Sequence, residues 1–219
     1  MTVQPFVLYD AHAVRMATGR DAVNLRELLT ALREVDGAVL RHHLFRFPLD
    51  LAYDVSAFGH EFAYWAESGL QDSVLAERLG NFDPYLDPQP EALRAALVEI
   101  VEDHLMAAHH VPWVRPGREL HFQRSLLVAY PTGVTATDLA GLQDAVCRAS
   151  RGAIYYHFFE ARTRLDGRSD DFSAWVDGSL GLPEVAAAMR RIDFPAMRIE
   201  DVRDTLARLL GEATTCRQR

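Results

Sequence analysis

The sequence predicts a mainly α-helical chain of two tandem pseudo-symmetric helical repeats, with room for a small two-stranded ribbon. Three observations carry this reading. Landmarks recur along the chain: Thr18-Gly19, Leu25, Leu28, Ala31, His43 and Phe45 return 114 positions later as Thr132-Gly133, Leu139, Leu142, Ala145, His157 and Phe159. Phe62, Trp65, Leu70, Ala76 and Asp83 return 110 positions later as Phe172, Trp175, Leu180, Ala186 and Asp193, and Glu91, Arg94 and Leu97 return 109 positions later as Glu200, Arg203 and Leu206. The apolar residues inside these blocks keep helical spacing, and the stretch between the copies, HHVPWVRPGREL, holds Pro112, Pro116 and Gly117, which stop a helix and open a connector. The expected organisation is a first repeat over 1–110, a connector over 111–118, a second repeat over 119–213 and a flexible polar tail over 214–219.

Each element follows from its pattern. Leu25, Leu28, Leu29, Leu32 and Val35 fall on one helical face, with Asp21 as the expected N-cap and Gly37 as the expected stop. Leu139, Leu142, Val146 and Ala149 repeat that face, opened by Thr137 or Asp138. A His-bearing segment follows in each copy, over 38–49 and 152–165. Its second version, GAIYYHFFEA, has the aromatic content of a buried strand, yet Ile154, His157, Phe158 and Ala161 sit at i, i+3, i+4 and i+7, so helix is the reading adopted. Phe-Trp helices over 56–68 and 169–178 and Ala/Leu-rich helices over 71–80 and 183–191 come next. Leu93, Leu97, Ile100 and Val101, matched by Val202, Leu206, Leu209 and Leu210, close the copies. Phe6–Tyr9 and His121–Tyr130 are the strand candidates, and if paired they form the ribbon.

Composition excludes several classes. With 219 residues, 49% of them hydrophobic, the chain can bury one large core or two smaller ones. No apolar run reaches the length of a membrane span, and the N-terminus lacks a signal-peptide pattern, so a cytoplasmic protein is expected. Cys147 and Cys216 are too few for a thiolate zinc site or a disulfide framework. A net charge of −8 argues against nucleic-acid binding. All 23 basic residues are arginine, as expected from the codon usage of a GC-rich genome, and Schiff-base or P-loop lysine chemistry is excluded.

Within one copy the order is a Leu-x-x-Leu helix, a His in an aromatic setting, an acidic-Phe-x-x-Trp element and an Ala-rich helix. In the second copy this reads DLAGLQDAVCRASRGAIYYHFFEARTRL, DDFSAWV and VAAAMRRID. The order resembles an uncharacterised family of archaeal and bacterial domains with the pattern Leu-x-Glu-Leu, Tyr-or-His-before-His, Asn-Asp-Phe-Ala-x-Trp and a Leu-Ala helix. The first copy keeps Leu25-Arg26-Glu27-Leu28 but has HEFAYW; the second keeps DDFSAW but has Gly141 in place of the Glu. The resemblance implies a fold and no chemistry.

The residues able to carry chemistry are His43 with Glu61 and His157 with Asp171, each a His paired with the carboxylate that precedes a Phe-x-x-Trp. A His facing a carboxylate is the minimum for a general base, and it is also a common buried hydrogen-bonding unit. Histidines concentrate in the first copy, so a divalent metal, if one binds, would draw on His42, His43, His60, Glu61 and His104, although no recognised ligand spacing is present. No other cofactor is expected. Phe62, Trp65, Phe172 and Trp175 pack a core or line a groove for a partner or ligand. No nucleophile elbow or phosphate-binding loop appears. The expected function is a non-catalytic interaction or regulatory module that binds a protein partner or self-associates. The alternative is a small enzyme or ligand-binding protein with its site in the first repeat.

Overall fold

A computed structural model describes residues 3–49, 58–165, 169–195 and 197–217, and residues 56 and 57 of the expected Phe-Trp helix and 218 and 219 of the expected tail lie outside them. The described chain is mainly helical, with two long strands, β1 (Phe6–Ala22) and β2 (Leu120–Ala136), hydrogen-bonded as an antiparallel ribbon. Both strands are longer than their sequence patterns suggested. Thr18-Gly19 and Thr132-Gly133 lie within them, the glycines at φ of +75° and +82°, a left-handed conformation that a strand tolerates at a bulge. Thr18 Oγ1 donates to the Phe122 carbonyl and Thr132 Oγ1 to the Leu8 carbonyl, which fixes the register at both ends.

The chain divides into two compact units, and the division does not fall at the 111–118 connector. One unit is Ala13–Leu126; the other is Met1–His12 with Leu127–Arg219. Each strand is therefore shared: the start of β1 serves the helices that follow β2, and the start of β2 serves the helices that follow β1.

In the Ala13–Leu126 unit, α1 (Leu25–Glu34) begins at Asn24, not Asp21. Asn24 Oδ1 accepts from Glu27 N–H while the Glu27 carboxylate accepts from Val23 N–H, a reciprocal cap. Gly37 is not a stop. It opens α2 (Gly37–Phe45), capped by Asp36, where a side chain would run into Pro90. Then come α3 (Glu61–Ser68), α4 (Ser73–Gly80), capped by Asp72, and α5 (Pro90–Ala107), with Pro90 in its first turn. Leu28, Leu40, Leu44, Phe62, Leu79 and Leu97 form the core with Leu120 and Phe122 from β2. Arg94 pairs with Glu91 on its own helix, Nε to Oε2 at 3.5 Å. Its guanidinium donates to the Leu32 and Val35 carbonyls and so closes the C-terminal end of α1.

In the other unit, α6 (Leu139–Arg148) is capped by Asp138, one of the two openers that the sequence offered. The stretch read as helix despite its aromatic content is one continuous run, α7, built from Arg151–Ile154, a wider i→i+5 segment over Tyr155–Glu160, and Ala161–Arg164. The extra residue per turn lets Tyr155, His157, Phe158 and Phe159 all be buried. α8 (Asp171–Gly178), α9 (Pro183–Arg190) and α10 (Ile199–Arg217) complete the unit, the last running helically through residues assigned to a tail. Phe6 and Leu8 from β1 join Leu142, Phe158, Phe172, Val202 and Leu206 in its core.

Gly152, in the first turn of α7, lies against β1 so closely that a Cβ would overlap the Ala11 carbonyl oxygen and the Asp10 carboxylate. Gly152→Ala is expected to destabilise this unit by roughly 1–3 kcal/mol, because the obstacle is mainly backbone that cannot rotate away. Urea denaturation read at Trp175 checks it, and a change within error would mean that the strand and helix slide apart freely.

Candidate functional site

Among the described residues, each unit holds a buried histidine paired with a carboxylate that is about a fifth exposed, and the two pairs are built the same way. His43 Nδ1 is 2.7 Å from Glu61 Oε2, and His157 Nδ1 is 2.8 Å from Asp171 Oδ2. The carboxylates stand in the first turns of α3 and α8, where a negative charge suits the positive end of the helix. Each ring is enclosed by aromatics: His43 by Phe62 and Phe122, at 5.2 and 5.6 Å between centroids, and His157 by Phe172 and Phe6, at 5.3 and 4.9 Å.

The other ring nitrogen decides what these pairs can do. Gln123 N–H of β2 donates to His43 Nε2 at 3.1 Å, and Tyr9 N–H of β1 donates to His157 Nε2 at 2.8 Å. A backbone amide only donates, so each Nε2 presents its lone pair and each Nδ1 carries the proton given to the carboxylate. Such an imidazole has the tautomer of a catalytic His–Asp pair, yet the lone pair that would take a substrate proton is occupied by the main chain. The pair works as a bracket tying strand to helix.

Glu61 is the more exposed member of its pair and borders a cleft of about 250 Å³ with Tyr64, Trp65, Arg118, His121 and Gln123. Burial by itself would raise the Glu61 carboxyl, but the His43 hydrogen bond and the electrostatic pull of His43, then of His42 and Arg15 when the carboxylate forms, outweigh it and hold it below its ordinary value. His42 and His43 stand edge to face, with centroids 5.0 Å apart. Burial comes first among the causes that lower His42 to about 4, and the neighbouring His43 would repel a second charged ring, so His42 is a neutral imidazole near pH 7.

Of the five metal candidates the structure gathers three. His42, His43 and Glu61 have ligand atoms within 4.8 Å of one another. His60 faces elsewhere: Nδ1 accepts from Ala63 N–H and Nε2 donates to the Leu79 carbonyl. His104 pairs with Asp72, the cap of α4. The chemistry of the gathered set does not fit a divalent metal. If His43 bound one through Nδ1, its proton would move to Nε2 and point at Gln123 N–H. His42 and Glu61 then remain, fewer than the three protein ligands of a typical zinc centre.

Phe62, Trp65, Phe172 and Trp175 pack in the cores of their units, and Trp65 also borders the cleft beside Glu61. Both phenylalanines are fully buried and the indoles nearly so, with Trp65 Nε1 donating to the Arg118 carbonyl and Trp175 Nε1 to the Gln4 carbonyl. Sequence reading missed the partners that define these sites, the backbone groups of Gln123, Tyr9, Arg118 and Gln4. It also missed a buried ion pair between Arg162 and Asp170, 3.3 Å apart, with Arg162 stacked on Phe158 and Phe194 at 4.4 and 4.5 Å. The acidic pair Asp170-Asp171 was the visible signal: one carboxylate caps α8 and the other binds His157.

Among the described residues, no helix is long and apolar enough to cross a membrane. No curated protein matches the chain. Among solved structures, OrfY from Thermoproteus tenax matches with 29% identity and a TM-score of 0.78 over 98% of both chains. The sequence profile of a family of unknown function, DUF5752, matches residues 3–211. This chain belongs to the DUF5752 family.

Proposed function

We propose that this chain is a cytoplasmic, non-catalytic interaction module built from a duplicated helical domain, acting by self-association or through a protein partner. Parallel hydrogen bonds support the duplication. His43 and His157, Trp65 and Trp175, and Thr18 and Thr132 make the same kinds of bond to groups that are themselves 114 positions apart: Gln123 and Tyr9, Arg118 and Gln4, Phe122 and Leu8. The non-catalytic reading is supported by the filled Nε2 position of both His–carboxylate pairs. The cleft beside Glu61, at about 250 Å³, is also smaller than the roughly 300–1,000 Å³ of small-molecule pockets.

One observation carries the interaction reading: the ribbon exposes apolar side chains. Val14, Met16 and Leu126 do so in one unit, and Val128, Tyr130 and Val134 in the other, with Leu126 58% exposed. Strand residues of this kind in water favour association. Light scattering and native mass spectrometry across concentration test the reading. Wild-type protein is expected to associate and Leu126→Glu to remain monomeric with unchanged helicity. A wild-type monomer at every concentration that retains a small molecule or metal would turn the reading towards ligand binding in the Ala13–Leu126 unit.

A further inference from the structure

We infer that the Ala13–Leu126 unit contains an acid-sensitive latch, in which protonation of His60 uncaps α3 and loosens its hold on β2, while the other unit, whose matching helix is capped by Asp170, stays closed. The latch lies in the cap itself. Serine, threonine, aspartate and asparagine are the usual N-caps because their side-chain oxygen accepts a backbone N–H at any ordinary pH. Here the acceptor is an imidazole nitrogen: His60 Nδ1 accepts from Ala63 N–H, while Nε2–H donates to the Leu79 carbonyl at 2.9 Å. Both ring nitrogens are engaged, so only the neutral form with its proton on Nε2 fits.

A second proton must go to Nδ1. It would then face the Ala63 N–H, donor against donor, and place a positive charge at the positive end of α3. His60 is fully buried between Phe62 and Phe82, at 6.1 and 6.3 Å between centroids, so no water is at hand to take over the bond. Of the charged groups, Glu61 beside it on α3 acts on the ring and favours protonation, but burial outweighs it and lowers His60 to about 4.

The release is connected to the ribbon. The first turn of α3 carries Glu61, which holds His43, which holds Gln123 of β2. A second imidazole in this unit adds to the effect. His42 is buried with no hydrogen-bond partner for Nδ1, and His43 and Arg46 from its own segment and Arg15 from β1 oppose its protonation, leaving Glu61 of α3 as the favouring charge. In the other unit, Asp170 Oδ1 accepts from Ser173 N–H, and Oδ2 accepts from Ser173 Oγ and faces Arg162. Burial pushes the Asp170 carboxyl up, against the pull of Ser173 and Arg162, so the folded unit takes up a proton there more readily than the unfolded chain.

The sign follows from these shifts. A histidine held below its ordinary value leaves the unfolded chain binding more protons between pH 6.5 and about 4, so the first unit weakens as pH falls through that window. At Asp170 the same fall in pH favours the folded state. One histidine that titrates at 6.5 unfolded and about 4 folded increases opening about 30-fold between pH 7.5 and 5.0.

Hydrogen–deuterium exchange of the full chain at pH 7.5 and 5.0, normalised to intrinsic exchange, tests the latch. Protection across α3 is expected to fall about 30-fold or more, while α8 changes less than about 3-fold. His60→Asn keeps a side-chain acceptor and donor without the titrating group, and is expected to recover about 30-fold of that loss. Equal loss in α3 and α8, or an α3 that keeps its protection at pH 5.0, overturns the proposal. Both readings come from wild-type protein, so they stand even where the variant fails to fold.

Discussion

His43→Ala and His157→Ala are each expected to cost the unit that holds them about 3–5 kcal/mol. Neither imidazole is replaceable by water, because both are buried and both rings have a donor on one side and an acceptor on the other. Truncation strands the Gln123 or Tyr9 amide, at roughly 1–3 kcal/mol for a buried unpaired donor, and opens a cavity among Phe62 and Phe122 or Phe6 and Phe172. The expected result is a comparable loss in both variants, read by urea denaturation with exchange protection assigning it to a unit. A loss below about 1 kcal/mol in either would show that the bracket adds little to packing. A loss confined to His43→Ala would separate the two pairs and reopen a special role for the first.

Asp170→Ala is expected to cost a similar amount, about 3–5 kcal/mol, through a different mechanism. Its carboxylate satisfies the Ser173 amide at the start of α8, receives the Ser173 hydroxyl, and faces the Arg162 guanidinium, all in the interior. Loss of an N-cap by itself is worth about 1 kcal/mol. The remainder comes from removing a buried carboxylate that lies opposite a buried cation. Asp170→Asn keeps an acceptor for the Ser173 amide, and its smaller loss in thermal unfolding would separate the two contributions. Equal losses would mean that the charge dominates the cap.

Much of the helical architecture was legible because amphipathic spacing depends only on neighbours a turn away. Leu25, Leu28 and Leu32 announce α1, and Asp138 announces the start of α6. The misplaced start of α1 had a local remedy, since Asn24 and Glu27 stand three apart as a reciprocal cap requires. Gly37 misled because a glycine at a helix boundary usually marks an end; here the close approach of Pro90 sets it at a beginning. The length of β1 could not be read from AHAVRMATGRDA, whose small and charged residues have weak strand preference. That segment is extended because β2 lies beside it.

The candidate site was half legible. The pairing of His43 with Glu61 and of His157 with Asp171 followed from their recurrence beside Phe-x-x-Trp. The groups that settle their chemistry are backbone amides, 80 residues away for His43 and 148 for His157, and a backbone amide leaves no mark in a side-chain pattern. Similar strands and similar helices also leave open which strand serves which helices.

The sharing of the two strands sets a timetable for biosynthesis. Residues 3–12 emerge from the ribosome long before their partners do: Gln4 pairs with Trp175, 171 residues later, and Tyr9 with His157, 148 residues later. The first helices wait for Gln123 and Phe122 before their own unit is complete. Contacts this distant in sequence slow folding, because a long loop must close before it is rewarded. The start of β1, with Phe6 and Leu8, is thus an apolar segment awaiting its partner until residues as far on as His157 and Trp175 have been made, the period in which a chaperone has most reason to hold it.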